Sequence, residues 1–369
     1  PQRRAAVKHK ERMKSMSERI LMKGNEALAE AAIVAGCRHF FGYPITPQTE
    51  LSAYMAKKMP KIGGTFLQAE SEVAAINMVL GAASAGVRAM TSSSSPGISL
   101  KSEGISYIAG SDLPCLILNV MRGGPGLGGI QPSQADYWQA THAMGHGDLH
   151  VLAFAPSTVQ EMVDTVMTAF DLADKYRMPA MILADGLLGQ MMEPVSFPEV
   201  EPHPIEKPWA ACGHGGKRPH NIINSLYLQP EELEQKVRER FERYELVKAN
   251  EAREEEYLTD DAEIVVVAYG ATARIAKSAI NAARAEGIKA GLIRPITVWP
   301  FPQKGIEKAC QNPSVQKFLA VEMSMGQMVD DVRLVVNGRK PVDFYGRTGG
   351  IIPSPAEILA KIKSMGGAQ

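Results

Sequence analysis

Apolar and polar positions along the first two hundred residues switch repeatedly between a helical and a strand period. Residues 24–35 place their apolar side chains at helical spacing and Gly36 closes the run, after which His39-Phe40-Phe41-Gly42 reads as a short strand. Further strands are expected at 88–91, 115–120, 151–155 and 180–183, with helices at 99–109 and 157–174. The second of these helices has a clear start, because a hydroxyl in Pro156-Ser157-Thr158 can cap free amides and Glu161 suits the first turn. Alternation of this kind predicts a mostly parallel sheet covered by helices.

The pattern changes near Phe197. Pro198, Pro202, Pro204 and Pro208 mark a linker, followed by Cys212-Gly213-His214-Gly215-Gly216. Residues 230–257 carry Glu, Lys and Arg at helical spacing with few apolar anchors, which predicts a solvated connecting helix. A second α/β unit then begins: a buried strand over 263–270 ending in Gly270, an amphipathic helix over 271–286 closed by Gly287, and a strand over 290–293. A helix over 302–312 with Pro302 in its first turn, then a strand over 318–322, complete a βαβαβ order. The fold class is therefore α/β, with two parallel-sheet domains. The divisions are a flexible leader at 1–17, a first domain at 18–197, a linker with its charged helix at 198–261, and a second domain at 262–369.

Bulk properties narrow the classes of function. The 369 residues suffice for two ordinary domains, and 40 basic residues balance 40 acidic ones, so no general attraction to nucleic acid or membrane is implied. The apolar runs fall short of the roughly 20 residues that span a bilayer. The basic segment Pro1 to Lys14 lacks the apolar stretch of a secretory signal. Cys37, Cys115, Cys212 and Cys310 lie far apart, which argues against a local zinc or iron–sulfur motif and for free, buried thiols in a reduced cytoplasmic setting.

Candidate chemistry concentrates where strands should end. Glu72 stands at the head of a charge-free run, 73–87, in which small residues fill the gaps between Val73, Ile76, Val79 and Leu80. Desolvation at the entrance of such a helix would push a carboxyl toward the protonated, hydrogen-bond-donating form, whereas the helix macrodipole would keep it ionised. Gly42-Tyr43-Pro44-Ile45-Thr46-Pro47 offers a hydroxyl between two prolines. Thr91-Ser92-Ser93-Ser94-Ser95-Pro96-Gly97 follows a strand and can bind an anion, or can be a polar turn. Arg122, before Gly123-Gly124-Pro125-Gly126-Leu127-Gly128-Gly129, is placed to grip a carboxylate at two points or to pair with a surface acid. Ala184-Asp185-Gly186 reads as a turn. His142, His146 and His150 have the spacing of metal ligands on a helix, but Gly145 and Gly147 interrupt it, so no metal is expected there. His146 near Asp148 is a further candidate pocket residue.

Together these segments resemble the α subunit of the 2-oxoacid:ferredoxin oxidoreductases, which use thiamine diphosphate. The matching pieces are Gly42–Pro47, Gln68–Ala75, Thr91–Leu100 and Arg122–Gly129, with Glu322–Gln327 and Gly346–Pro353 in the second domain. The likeness runs from about residue 20 to 360 and is nearest to the branched-chain (2-oxoisovalerate) type, with the 2-oxoglutarate type next. Serine stands at Ser95, where many relatives have glycine. The resemblance implies a pyrimidine-binding domain followed by a transketolase C-terminal-like domain. It implies that Glu72 hydrogen-bonds N1′ of the aminopyrimidine and that Thr46 and Arg122 hold the substrate carboxylate. It also implies that Tyr43, Pro44, Ile45, Ser94, Ser95 and Pro96 border the cofactor. The chain lacks the superfamily's Gly-Asp-Gly segment with a following Asn, and it lacks cluster cysteines. Half an active site is therefore expected. A β subunit would bring the diphosphate, Mg²⁺ and a [4Fe–4S] cluster, while γ and small ferredoxin-like δ subunits complete the assembly. CoA is the expected co-substrate and ferredoxin the acceptor. A distal carboxylate on the substrate would need a second cation, for which Arg88, Lys101 and His146 are candidates.

Overall fold

The computed structural model describes residues 19–199 and 206–366. The leader and the linker prolines Pro202 and Pro204 lie outside them. In the first half the strands are β1 (Ile20–Lys23), β2 (His39–Gly42), β3 (Thr65–Gln68), β4 (Ala89–Ser93), β5 (Cys115–Met121), β6 (Leu152–Phe154), β7 (Pro179–Asp185) and β8 (Met192–Val195). The second half adds β9 (Glu254–Tyr257), β10 (Ile264–Val267), β11 (Ala290–Pro295), β12 (Thr297–Trp299), β13 (Lys317–Glu322) and β14 (Val342–Gly346).

Seven strands form one sheet in the order β12-β6-β7-β5-β4-β2-β3, and five form another in the order β14-β13-β10-β11-β9. Both are parallel except for one antiparallel edge strand each, β12 on the first and β9 on the second. β1 and β8 make a separate antiparallel ribbon. The middle of the first sheet is buried on both faces, so β4 and β5 are buried at every position. That is why β5 reads as an unbroken Cys-Leu-Ile-Leu-Asn-Val-Met run instead of an alternating one.

Several elements match the expected ones closely. The helix Val159–Tyr176 is capped by Thr158, whose hydroxyl accepts from the Glu161 amide at 3.1 Å. Two elements and one cysteine differ. Residues 254–257 are not the tail of the charged helix, which ends at Glu251; they form the edge strand β9. There Glu255 meets Arg294 and Lys277, and Glu256 meets Lys308, so this acidic run is neutralised across the sheet and not along a helix. The helix expected from Pro302 starts at Lys304, with Gln303 before its first turn. Cys37, Cys115 and Cys310 are buried thiols as expected, but Cys212 is exposed, because the glycine-rich loop that holds it lies on the surface.

The two sheets are joined by a dry polar seam centred on Gln134. Its side-chain amide donates to Tyr269 O at 2.9 Å, and its Oε1 accepts from Thr272 Oγ1 at 2.6 Å and from Met323 N at 3.0 Å. Its backbone exchanges further bonds with Met323 O and the Tyr269 hydroxyl. Beside it, buried Glu322 accepts from the amides of Gln327, Met328 and Val329 and from Ser324 Oγ. Gln327 in turn bonds Ala135 O and the Trp138 amide. The motif Glu322–Gln327 thus belongs to the join between domains. Gly350 sits at φ +93°, and an added Cβ would lie 2.3 Å from Gln131 Cβ, so the Gly346–Pro353 loop packs tightly on the segment that follows Arg122.

Candidate active site

The suspected loops leave the carboxyl ends of β2, β4 and β5, and the chain leaving β3 leads to Glu72. These four strands are neighbours in the sheet, so their loops share the crevice where ligands bind in open parallel sheets. Glu72 opens the helix Glu72–Ser84, whose end is capped by the Ser71 hydroxyl accepting from the Ala74 amide at 3.2 Å. With that cap in place the Glu72 side chain turns inward and is 6% exposed. It lies against Gly97, where an added Cβ would stand 2.8 Å from Glu72 Oε1 and 2.1 Å from Ser93 Oγ. Glycine at 97 is what lets the loop after β4 approach the carboxyl.

Ser95 closes that loop at φ +22°, a conformation strained for a side chain with a Cβ. Hydrogen bonds offset the strain. Its hydroxyl donates to Asp136 Oδ2 at 2.6 Å and accepts from the Arg122 amide at 3.0 Å, and its own amide donates to Asn119 Oδ1 at 3.2 Å. Asn119 also donates to Asp136 at 2.9 Å. Burial raises the Asp136 pKa, and the bonds from Ser95 and Asn119 oppose that rise. Neither Asp136 nor Asn119 stands out in the sequence, since the first lies in a loop and the second inside an apolar strand.

Arg122 is buried and comes to Thr46, 76 residues earlier, but through the backbone: Nη1 donates to Thr46 O at 2.9 Å. Nη2 donates to Leu127 O at 3.2 Å, while Nε has no partner among the described residues. The guanidinium therefore braces two loops and keeps Nε free. The Thr46 side chain is exposed at the rim, beside half-buried Tyr43 and Ile45 and exposed Pro44. Ser93 and Ser94 are fully buried with hydroxyls that find no partner, and so is the Nζ of Lys101.

The other candidates separate. Asp185 caps the short helix Gly186–Gln190, accepting from the Leu187 and Leu188 amides, and burial pushes its pKa up to about 6. It does more than make a turn. His142 lies 3.6 Å from Asp331, His146 meets Tyr107 edge-on, and His150 stacks on Trp299 at 4.5 Å between ring centres. Burial lowers the His150 pKa to about 4. No group of three or more metal-ligating side chains occurs among the described residues. Arg88 precedes β4, at the far end of the sheet from the crevice, and is held by Asp171 and Asp174.

A carboxyl buried at the crevice of a parallel sheet, where ligands bind in open α/β folds, places the chain in the class of ligand-binding α/β proteins. The comparisons identify which. A family model described as "Pyruvate flavodoxin/ferredoxin oxidoreductase, thiamine diP-bdg" matches residues 30–257, and "Pyruvate:ferredoxin oxidoreductase core domain II" matches 262–358. The chain is 50% identical to the ketoisovalerate oxidoreductase subunit VorB of Methanothermobacter marburgensis over 349 residues, covering 94% of this chain and 98% of that one. It is 38% identical to the 2-oxoglutarate synthase subunit KorA of the same organism over 379 residues, covering 95% of this chain and 100% of that one. Among solved structures, the 2-oxoglutarate:ferredoxin oxidoreductase of Magnetococcus marinus with 2-oxoglutarate, coenzyme A and succinyl-CoA bound matches with a TM-score of 0.83 at 27% identity. That match covers 94% of this chain and spans 65% of the Magnetococcus chain. The chain belongs to the 2-oxoacid:ferredoxin oxidoreductase family and carries its thiamine-diphosphate-binding domain.

Proposed function

We propose that this chain supplies the aminopyrimidine side of the active site in a branched-chain 2-oxoacid:ferredoxin oxidoreductase. The reaction converts 2-oxoisovalerate and CoA to acyl-CoA and CO₂, with two electrons passed to ferredoxin. The observation that carries this reading is Glu72, whose carboxyl is buried against Gly97 in the crevice with no hydrogen-bond partner among the described residues. Buried polar groups are rarely left without a partner, and where the chain supplies none a ligand, an ion or water completes them. The unpaired hydroxyls of Ser93 and Ser94 point to the same missing group.

Thiamine diphosphate, once bound, supplies the nucleophilic carbon and the electron sink that decarboxylation requires. Glu72 would hydrogen-bond its ring nitrogen and hold or pass the proton there. Tyr43, Pro44, Ile45, Ser94, Ser95 and Pro96, on the loops after β2 and β4, would border it. Arg122 and Thr46 orient the substrate carboxylate, with the free Nε as the available donor. The crevice is incomplete in this chain. Val73 and Leu100, 46% and 54% exposed beside Glu72 and Gly97, form an apolar rim suited to a second subunit. A β subunit with the diphosphate, Mg²⁺ and a [4Fe–4S] cluster fills that role, joined by γ and δ subunits.

The 2-oxoglutarate type is the second reading, supported by the likeness to KorA. It needs a cation for the distal carboxylate, and none of the three candidates is presented at the mouth of the crevice with a free charge. Arg88 is ion-paired at the far end of the sheet, Lys101 is fully buried with its amine out of reach of solvent, and His146 is exposed against Tyr107. Glu72→Gln in the reconstituted complex tests the assignment. The complex should assemble as before on gel filtration and lose at least ~100-fold in 2-oxoisovalerate-dependent ferredoxin reduction. Unchanged turnover would make the chain a scaffold. Faster turnover of 2-oxoglutarate than of 2-oxoisovalerate by the wild type would favour the second reading.

A further inference from the structure

Asp136 stands just before the short helix Tyr137–Thr141, yet its side chain does not cap that helix. Its Oδ2 instead accepts from Ser95 Oγ at 2.6 Å and from Asn119 Nδ2 at 2.9 Å. Asn119 Oδ1 accepts in turn from the Ser95 amide at 3.2 Å, which closes a ring between β5, the loop after β4 and Asp136. The segment that bears Asp136 is gripped by the second domain. Gln134 donates its backbone amide to Met323 O at 2.9 Å, and Gln327 donates its side-chain amide to Ala135 O at 2.8 Å.

The Ser95 hydroxyl has one proton to give and two acceptors within reach, Asp136 Oδ2 at 2.6 Å and Arg122 O at 3.1 Å. A carboxylate is the stronger acceptor, so the proton goes to Asp136 and a lone pair faces the Arg122 amide at 3.0 Å. That bond holds the backbone of Arg122 just where β5 ends. Of the two carbonyls that brace the guanidinium, the one from Leu127 lies in an exposed loop, with Gly126 and Gly128 at positive φ on either side. Such a brace is soft, and the anchor at the backbone counts for more. Ser95, at φ +22°, keeps its strained shape only while its surroundings over-determine it, and Asp136 receives two of the ring's three bonds.

We infer that Asp136 is a positioning residue for the substrate carboxylate: through the Ser95 hydroxyl it fixes the backbone of Arg122 and so the place of the guanidinium. The inference rests on the reading of Arg122 as the group that holds the 2-oxoacid. It assigns Asp136 no contact with substrate or cofactor. It also ties the crevice to the joint between the sheets, because Gln134 and Ala135, which the second domain grips, lead directly into Asp136.

Steady-state kinetics on the reconstituted complex, with 2-oxoisovalerate and CoA varied in turn, test this alongside calorimetry of thiamine diphosphate binding. Asp136→Ala should raise KM for the 2-oxoacid by about 10-fold. Its kcat, its KM for CoA and its affinity for thiamine diphosphate should each stay within about 3-fold of wild type. Asp136→Asn keeps an oxygen for both donors and should bring KM for the 2-oxoacid back to within about 3-fold. Ser95→Ala cuts the same link at its other end, so the double variant with Asp136→Ala should raise that KM no further than the worse single change. An unchanged KM in Asp136→Ala, no recovery in Asp136→Asn, additive effects in the double variant, or an equal loss in all four quantities overturns the inference. Should Asp136→Ala fail to assemble, Ser95→Ala decides by the same split between KM values. Failure of the underlying reading looks different: Arg122→Met would leave KM for the 2-oxoacid at its wild-type value.

Discussion

Two buried polar clusters behave in opposite ways. Around Gln134 and Glu322 every buried side-chain group has its partner, and the bonds cross from one sheet to the other. Around Glu72 the hydroxyls of Ser93 and Ser94, the amine of Lys101 and the Nε of Arg122 are buried and unpaired. Both clusters were costly to dehydrate, and only the first recovers that cost within the chain. A satisfied network marks a structural joint, while an unsatisfied one beside a crevice marks a place prepared for another molecule.

Substitutions can break this contrast. The largest effect is expected from Gln134→Ala. It strands Tyr269 O, Thr272 Oγ1 and the Met323 amide, which should cost about 3–5 kcal/mol and lower the melting temperature by at least ~5 °C. Calorimetry of the melt would check it. A loss under ~1 kcal/mol would show that water replaces the side chain and that the seam is not dry. Arg122→Met comes next. It should raise KM for the 2-oxoacid by roughly 10–100-fold, because both the loop brace and the cation go, and steady-state kinetics on the complex would show it. Ser94→Ala should have the smallest effect and the most telling one. Its hydroxyl has no partner to lose, so stability should stay within ~0.5 kcal/mol, while affinity for thiamine diphosphate drops by about 3–10-fold. A clear loss of stability in that variant would place Ser94 with the structural cluster.

Much of the first cluster was hidden in the sequence and much of the second was not. Glu72 and Arg122 were legible as charges beside a small-residue or apolar pattern, and Ser93 and Ser94 as part of a run of hydroxyls after a strand. Lys101 had a signal too, as the only charge among Gly97, Gly104, Ile105 and Ile108 on one helical face, but that face appears only once the helix start at Pro96 is known. Gln134, Asn119 and Asp136 left no local trace, since their roles come from partners 17 to 189 residues distant. The parallel core strands were readable from continuous apolar runs. The edge strands β3, β9 and β12 were not, because β3 and β9 are short and largely exposed or half-buried and β12, though buried, is only three residues long, so none shows either the run or the alternation. Arg122 shows the limit of residue-level reading: its fork was expected on a ligand, yet two of its nitrogens hold the backbone of Thr46 and Leu127.

The strand β12 belongs by sequence to the second half and by hydrogen bonding to the first sheet, where it covers the flank of β6. Cutting the polypeptide between its halves would strip that flank and leave a row of bare amides and carbonyls ready to pair with another molecule. One edge of the first sheet is therefore finished by a strand from the second half of the chain, so the two halves share a continuous hydrogen-bonded border.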